Sequence, residues 1–181
     1  MLVESDLPGE WRTTEAPARS DSSISDSGGL ESECGEATGQ VVEEASRWAD
    51  ADVAVEGIWQ SFGGDMTLKQ EIAADRQLDA SHFVARLVRQ AHECSDVLVA
   101  ADGITVESHL RTCSLSGGVR GVQIVQTWAA IDGRSGSTRL AYVDAGHALI
   151  VMTLTAGDDD STCDHAVFDP VVTAAAAKLA R

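Results

Sequence analysis

From Asp52 to Thr155 the chain is built of short runs of alternating apolar and polar residues, cut by turns and interrupted once by a helical period. A two-residue period gives a strand one apolar face, and that face needs a covering layer. "DVAVEGIWQSF" and "DMTLKQEIAA" flank Gly63-Gly64, the signature of a tight hairpin. In the second run Met66, Leu68 and Ile72 share a face with Gln70, while Lys69 and Glu71 take the other. Further strands are expected in "GITVESHLRTC", "RGVQIVQTWAAI", "STRLAYV" and "HALIVMTLT". The last is apolar on both faces, which places it centrally in the sheet.

The interruption runs from Ala80 to about Cys94. Phe83, Val84, Leu87, Val88 and Ala91 recur at three- and four-residue spacing and make one stripe, and Cys94 extends it inward. Asp79 is placed to cap this helix. A closing helix is expected in "VVTAAAAKLAR", with Asp169-Pro170 as its start signal. The order is β-β-α-β-β-β-β-α. It predicts an α+β fold: an antiparallel sheet of about six strands with helices packed on it.

With 181 residues, 44% of them apolar, the chain can bury a real core, but aromatics are only 4%, so that core is mostly aliphatic. Thirteen basic residues against 29 acidic ones give a net charge of −16. No basic face is available for phosphates, so no nucleic-acid partner is expected, nor electrostatic docking on an anionic membrane. No apolar run reaches the ~20 residues of a membrane-spanning helix.

Residues 1–33 are expected to be an N-terminal segment and polar linker, and residues 34–181 the α+β domain. The linker "RTTEAPARSDSSISDSGGLESE" is rich in residues with little reason to pack. The segment before it, "LVESDLPGEW", is oddly apolar for a terminus. Leu7 and Trp11 are expected to pack on the domain, with Pro8-Gly9 turning the chain between them.

The chemistry-bearing residues are sparse. Cys34, Cys94, Cys113 and Cys163 are an even, widely spaced set without a Cys-x-x-Cys pair, which fits two disulfides and an oxidising compartment. Three pairings are open. The alternative is a zinc site from the mirrored His-x-Cys pairs: His92, Cys94, Cys163 and His165. The acidic run Asp158–Asp160 with Asp164 lacks the ligand spacing of a calcium loop and reads as a solvated loop. No nucleophile elbow or phosphate-binding glycine motif occurs, so the chain is expected not to be an enzyme and to need no cofactor; a secreted hydrolase with an unrecognised site is the rival. Trp59 and Trp128, both on strands, are candidate lining for a ligand cleft.

The succession of "LVESDLPGEW", a polar gap, a cysteine, a hairpin ending in "LKQEIAAD", the helix "ASHFVARLVRQAHEC" and a closing helix resembles actinobacterial extracytoplasmic sensor-domain proteins. Many of these are lipoproteins. The family includes the extracellular sensor domain of PknH-type receptor kinases. The resemblance implies a non-enzymatic domain in the cell envelope that senses a ligand in a cleft beside an antiparallel sheet. It also implies the pairings Cys34–Cys94 and Cys113–Cys163. The expected partner is a small-molecule or cell-envelope ligand, with membrane contact only through an N-terminal anchor outside this chain.

Overall fold

The structure is a computed structural model of the whole chain. It is described over residues 1–7, 9–14, 44, 47–48, 50–51, 53–61, 66–93, 96–101, 104–130, 133, 135–156 and 168–179. A single antiparallel sheet runs through these residues, with two helices packed on it, an α+β arrangement. The strands are β1 (Trp11–Thr14), β2 (Val53–Ser61), β3 (Met66–Ala74), β4 (Asp96–Ala101), β5 (Ile104–Cys113), β6 (Gly121–Ala130), β7 (Ser135–Asp144) and β8 (Ala148–Ala156). The helices are α1 (Ala80–Glu93) and α2 (Phe168–Leu179).

Their order across the sheet is β1-β2-β3-β8-β7-β6-β5-β4. Each neighbour but one is joined by a sequential antiparallel step. The exception is β8, which inserts between β3 and β7, pairing Leu68 with Leu154 on one side and Tyr142 with Val151 on the other. Its apolar residues on both faces match that central place.

Among the described residues the sheet has eight strands rather than about six. β4 escapes the sequence pattern because "DVLVAA" follows the helix with no glycine or proline between them, and a short continuous apolar run has no diagnostic period. β1 escapes it because it is only four residues long and lies close to the terminus. The closing helix also starts earlier than the alanine run suggests, at Phe168, with Pro170 in its first turn, where a missing N–H costs nothing.

The two faces of the sheet are covered separately. On one, Phe83, Val84 and Leu87 of α1 pack with Trp48, Val122 and Leu149. Asp79 caps that helix as its position suggests: its Oδ1 accepts from the Ser81 N–H at 2.9 Å and the Ser81 hydroxyl at 2.7 Å. The side-chain bond from Ser81 and the backbone bond from His82 hold the Asp79 carboxyl below its ordinary range. On the other face, Phe168, Val171, Val172 and Ala175 of α2 close over Leu68, Val143, Ile150 and Met152. Asp169 in the first turn of α2 is buried, and its Oδ2 accepts from the Ser116 hydroxyl.

Tyr142 lies on the α1 face, its ring meeting Phe83 edge-on at 6.0 Å and 78°. Burial, with the Glu71 carboxylate adding to it, pushes the phenol up to about 12. It is the only tyrosine in the chain. Because the folded phenol holds its proton more tightly than the unfolded one, stability falls as pH rises above the ordinary phenol value near 10. Spectrophotometric titration should therefore show no phenolate near pH 10, and a step only towards pH 12 or on unfolding. A reversible step at pH 10 in the folded protein would place the ring in water.

Candidate functional site

The opening segment is part of the main core. Leu2, Leu7 and Trp11 are buried with Trp59 and Leu68 on the α2 face. A one-turn 3-10 helix at Glu4–Asp6 bends the chain, so that β1 can pair with β2 from Trp11 opposite Ser61 to Thr14 opposite Ile58. Polar contacts tie the segment down. The buried Leu2 N–H donates to Gln70 Oε1 at 3.0 Å. Lys178, in the last turn of α2, donates to Asp6 Oδ2, which also accepts the Val3 N–H at 2.7 Å. The Thr13 N–H and hydroxyl both reach Glu4 Oε1, at 2.6 and 2.7 Å.

These contacts hold both carboxyls below their ordinary values: Asp6 through Lys178 and then the Val3 N–H, Glu4 through the Thr13 hydroxyl and then its N–H. A carboxyl depressed in the folded state stabilises it at and above its unfolded pKa, and that contribution is lost as pH falls through the folded value. The segment should thus stay closed at neutral pH and loosen only below the ordinary values of 3.8 for Asp6 and 4.5 for Glu4. Hydrogen exchange of residues 2–14 should rise on that acid limb before exchange in β8 does. Asp6→Asn should raise it already at neutral pH. An equal and simultaneous rise in both regions would mean the segment does not open independently.

Between this segment and β2 lies a cleft of about 600 Å³, lined by Met1–Ser5, Thr13, Thr14 and Glu56–Trp59. Trp59 is buried, and its ring lies against Gly57, so closely that a Cβ there would come within 2.5 Å of it. The glycine leaves room for the indole, and the indole forms the floor. Val3 and Ile58 supply aliphatic walls, and Glu4 and Glu56 the charge. Glu56 pairs with Lys69 at 3.3 Å, and the same ammonium reaches Glu71 at 3.1 Å. Burial works against the Lys69 charge, but the two carboxylates outweigh it and raise its pKa.

A smaller cavity of about 310 Å³ sits at the end of α2, between Val119, Ala176 and Leu179 and the Arg120–Asp144 ion pair at 3.5 Å. On the α2 face the Gln70 Nε2, both amide atoms of Gln123 and the Ser137 hydroxyl are buried with no hydrogen-bond partner among the described residues. Such atoms ordinarily hold ordered water.

Of the residues singled out from sequence, Trp59 lies in the larger cleft. Trp128 is on β6, opposite Ser108 and Gly136, well away from it along the sheet. Cys113 ends β5, is buried, and is disulfide-bonded; Cys34, Cys94 and Cys163 lie outside the described residues. Of the four alternative zinc ligands only His92 is described, and it is exposed on α1. Among the described residues no group of three or more His, Cys, Asp or Glu side chains is arranged to hold a metal. His82, His92, His109 and His147 are all exposed.

No family model and no curated protein matches the sequence. Among solved structures, the extracellular domain of PknH from Mycobacterium tuberculosis has a similar fold. The TM-score is 0.50 at 13% sequence identity, over 70% of this chain and 63% of that one. The chain thus spans less than two thirds of that domain's length. At this identity the likeness is one of fold. Among the described residues no helix is long and apolar enough to cross a membrane.

The cleft is not visible in the sequence, because most of it is strand edge and terminal segment rather than a motif. One signal is present: a glycine inside an otherwise regular strand, two residues before a tryptophan, which marks a close approach.

Proposed function

We propose that this chain is an exported, non-enzymatic ligand-binding domain of sensor type, acting in the cell envelope, with the cleft beside β1 and β2 as its ligand site. The observation that carries this reading is the pairing of a formed cleft with a sheet and helix arrangement like that of an extracellular domain. The segment that walls the cleft is held by side-chain contacts to two other elements, β3 and α2, and by a bond within itself, which suits a site built to be kept in shape. Attachment to the cell envelope as a lipoprotein belongs to the same reading.

Two sequential disulfides belong to the same reading, Cys34–Cys94 and Cys113–Cys163. In the chain-entropy model, loops this long are worth roughly 3–5 kcal/mol each. Thiol counting on the unfolded, unreduced protein should find no free thiols, and peptide mapping should recover those two pairs. Four free thiols would overturn export into an oxidising compartment, and stoichiometric zinc alongside them would favour the metal-binding alternative. For the site itself, the probe is Trp59: its replacement by Phe should abolish any ligand-dependent change in fluorescence assigned to this cleft.

A further inference from the structure

One peptide unit at the wall of the larger cleft is gripped from both sides. The Met1 carbonyl accepts from Lys178 Nζ of α2 at 3.3 Å, and the Leu2 N–H of the same unit donates to Gln70 Oε1 of β3 at 3.0 Å. The side chain that follows is inserted as a peg. Leu2 is 1% exposed, in the cluster with Leu7, Trp11, Trp59 and Leu68, while Met1 and Val3 on either side of it are 48% and 52% exposed. Gln70 is buried on the core face of β3, opposite Gly57 on β2 and Met152 on β8. A buried amide costs desolvation unless it is bonded, and here its oxygen is bonded to a backbone N–H. The result is an aliphatic socket with one acceptor and one cationic donor, placed for the two polar atoms of an acyl-amino-acid amide.

Met1–Ser5 also line the cleft, so socket and cleft share a wall, and only Met1 and Leu2 need swing out to join them. Val3 is the hinge, since Asp6 holds both its backbone atoms: the Val3 N–H donates to Asp6 Oδ2 at 2.7 Å, and the Val3 carbonyl accepts the Asp6 N–H at 2.8 Å. The bonds of Asp6 to Lys178 and of Glu4 to Thr13 do not involve the first two residues and survive the movement. We infer that Met1–Leu2 occupy, from within the chain, a subsite of the cleft for an N-acylated aliphatic amino acid, whose side chain takes the Leu2 socket and whose acyl amide takes Gln70 and Lys178. This rests on the cleft being the ligand site. The peg competes with the ligand, so the apparent affinity falls by the fraction of molecules whose socket is open. Weakening the peg must then tighten binding, which a Leu2 of purely structural role would not do.

The test uses the full, oxidised chain and two probes, N-octanoyl-leucine amide and N-acetyl-Met-Leu-amide. Both are uncharged, because Glu4 and Glu56 line the cleft. Leu2→Ala removes most of the peg and should bind at least one probe about tenfold more tightly than the parent chain, with a shift of the Gln70 side-chain amide resonances. The tighter probe tells whether the acyl group is lipid-like or a preceding residue of a peptide. The D-leucine form of that probe should bind at least about tenfold more weakly, because socket and amide grips fix one hand. Gln70→Met, added to Leu2→Ala, removes the acceptor at similar volume on an apolar face and should lose the probe while the chain still melts cooperatively. Should Leu2→Ala itself melt too low, Leu2→Val supplies the same comparison with a smaller gain of about threefold.

Equal affinity in the parent and in the weakened-peg variant overturns the inference, and so does a folded variant that binds neither probe: Leu2 is then a core residue and nothing more. Binding indifferent to Gln70→Met or to the hand of the leucine overturns it too, by placing the probe elsewhere. A molecule of another class that shifts the Glu56–Trp59 amides and leaves the Gln70 side chain unmoved would sink this subsite and leave the cleft standing as a ligand site.

Discussion

Gly121→Ala is expected to lower Tm by roughly 10 °C, an effect of about 3 kcal/mol on stability. Gly121 opens β6 opposite Val143, with φ at 155°. A Cβ there would come within 2.2 Å of the Tyr142 carbonyl oxygen, 2.9 Å of the Leu115 side chain and 3.0 Å of the Val143 Cα. Two of these three obstacles are backbone of the neighbouring strand, so no rotamer change relieves them. β6 would have to draw back from β7, and β7 carries Val143, packed in the core beneath α2. Gly118→Ala is the control. Its φ of 71° also disfavours a side chain, but nothing lies within 4 Å of the added methyl, so only the left-handed backbone cost of about 1 kcal/mol applies. Melting curves of the two variants separate collision from conformational cost. A Gly121→Ala protein that melts within a few degrees of Gly118→Ala would mean β6 and β7 do not approach this closely.

The second large effect is expected at the other end of the chain. Trp11→Ala should cost about 3–5 kcal/mol, the usual range for emptying a buried indole site. Trp11 is 8% exposed and packs in the same cluster as Leu2, Leu7 and Trp59. Deleting residues 2–11 removes all three apolar anchors together with the contacts to Gln70 and Lys178. Its net cost should be smaller than the sum of the single truncations. The folded protein no longer has to order a terminal segment, which costs about 1–2 kcal/mol per residue for the backbone. The deletion should still lower Tm, because it uncovers Trp59 and Leu68, which are 2% and 1% exposed in the intact chain. An unchanged Tm would make the segment a passive tail and remove one wall of the proposed site.

The regular parts of this fold are legible in the order of the residues. The hairpin of β2 and β3, the stripe Phe83–Val84–Leu87, the Asp79 cap and the central place of "HALIVMTLT" each follow from a local rule with a clear period. What escapes has no local rule. "DVLVAA" has no turn signal before it and no alternation within it. The site escapes for a different reason. Its walls come from residues 1–5, 13–14 and 56–59, and nothing in the sequence states that these segments meet. Gln70 is the nearest hint: a polar residue on an otherwise apolar strand face, which the structure explains as the acceptor for the Leu2 N–H.

The position of β8 sets an order of events for folding. Among the described residues, strands β1 to β3 and strands β4 to β7 form two meanders that share no direct pairing, and β8 bridges them. Until Ala148–Ala156 is available, β3 and β7 both present open edges and the sheet cannot close. Such long-range closure makes folding slow and late compared with a chain of purely local hairpins. A sheet built this way stays split into two halves until β8 has docked between β3 and β7.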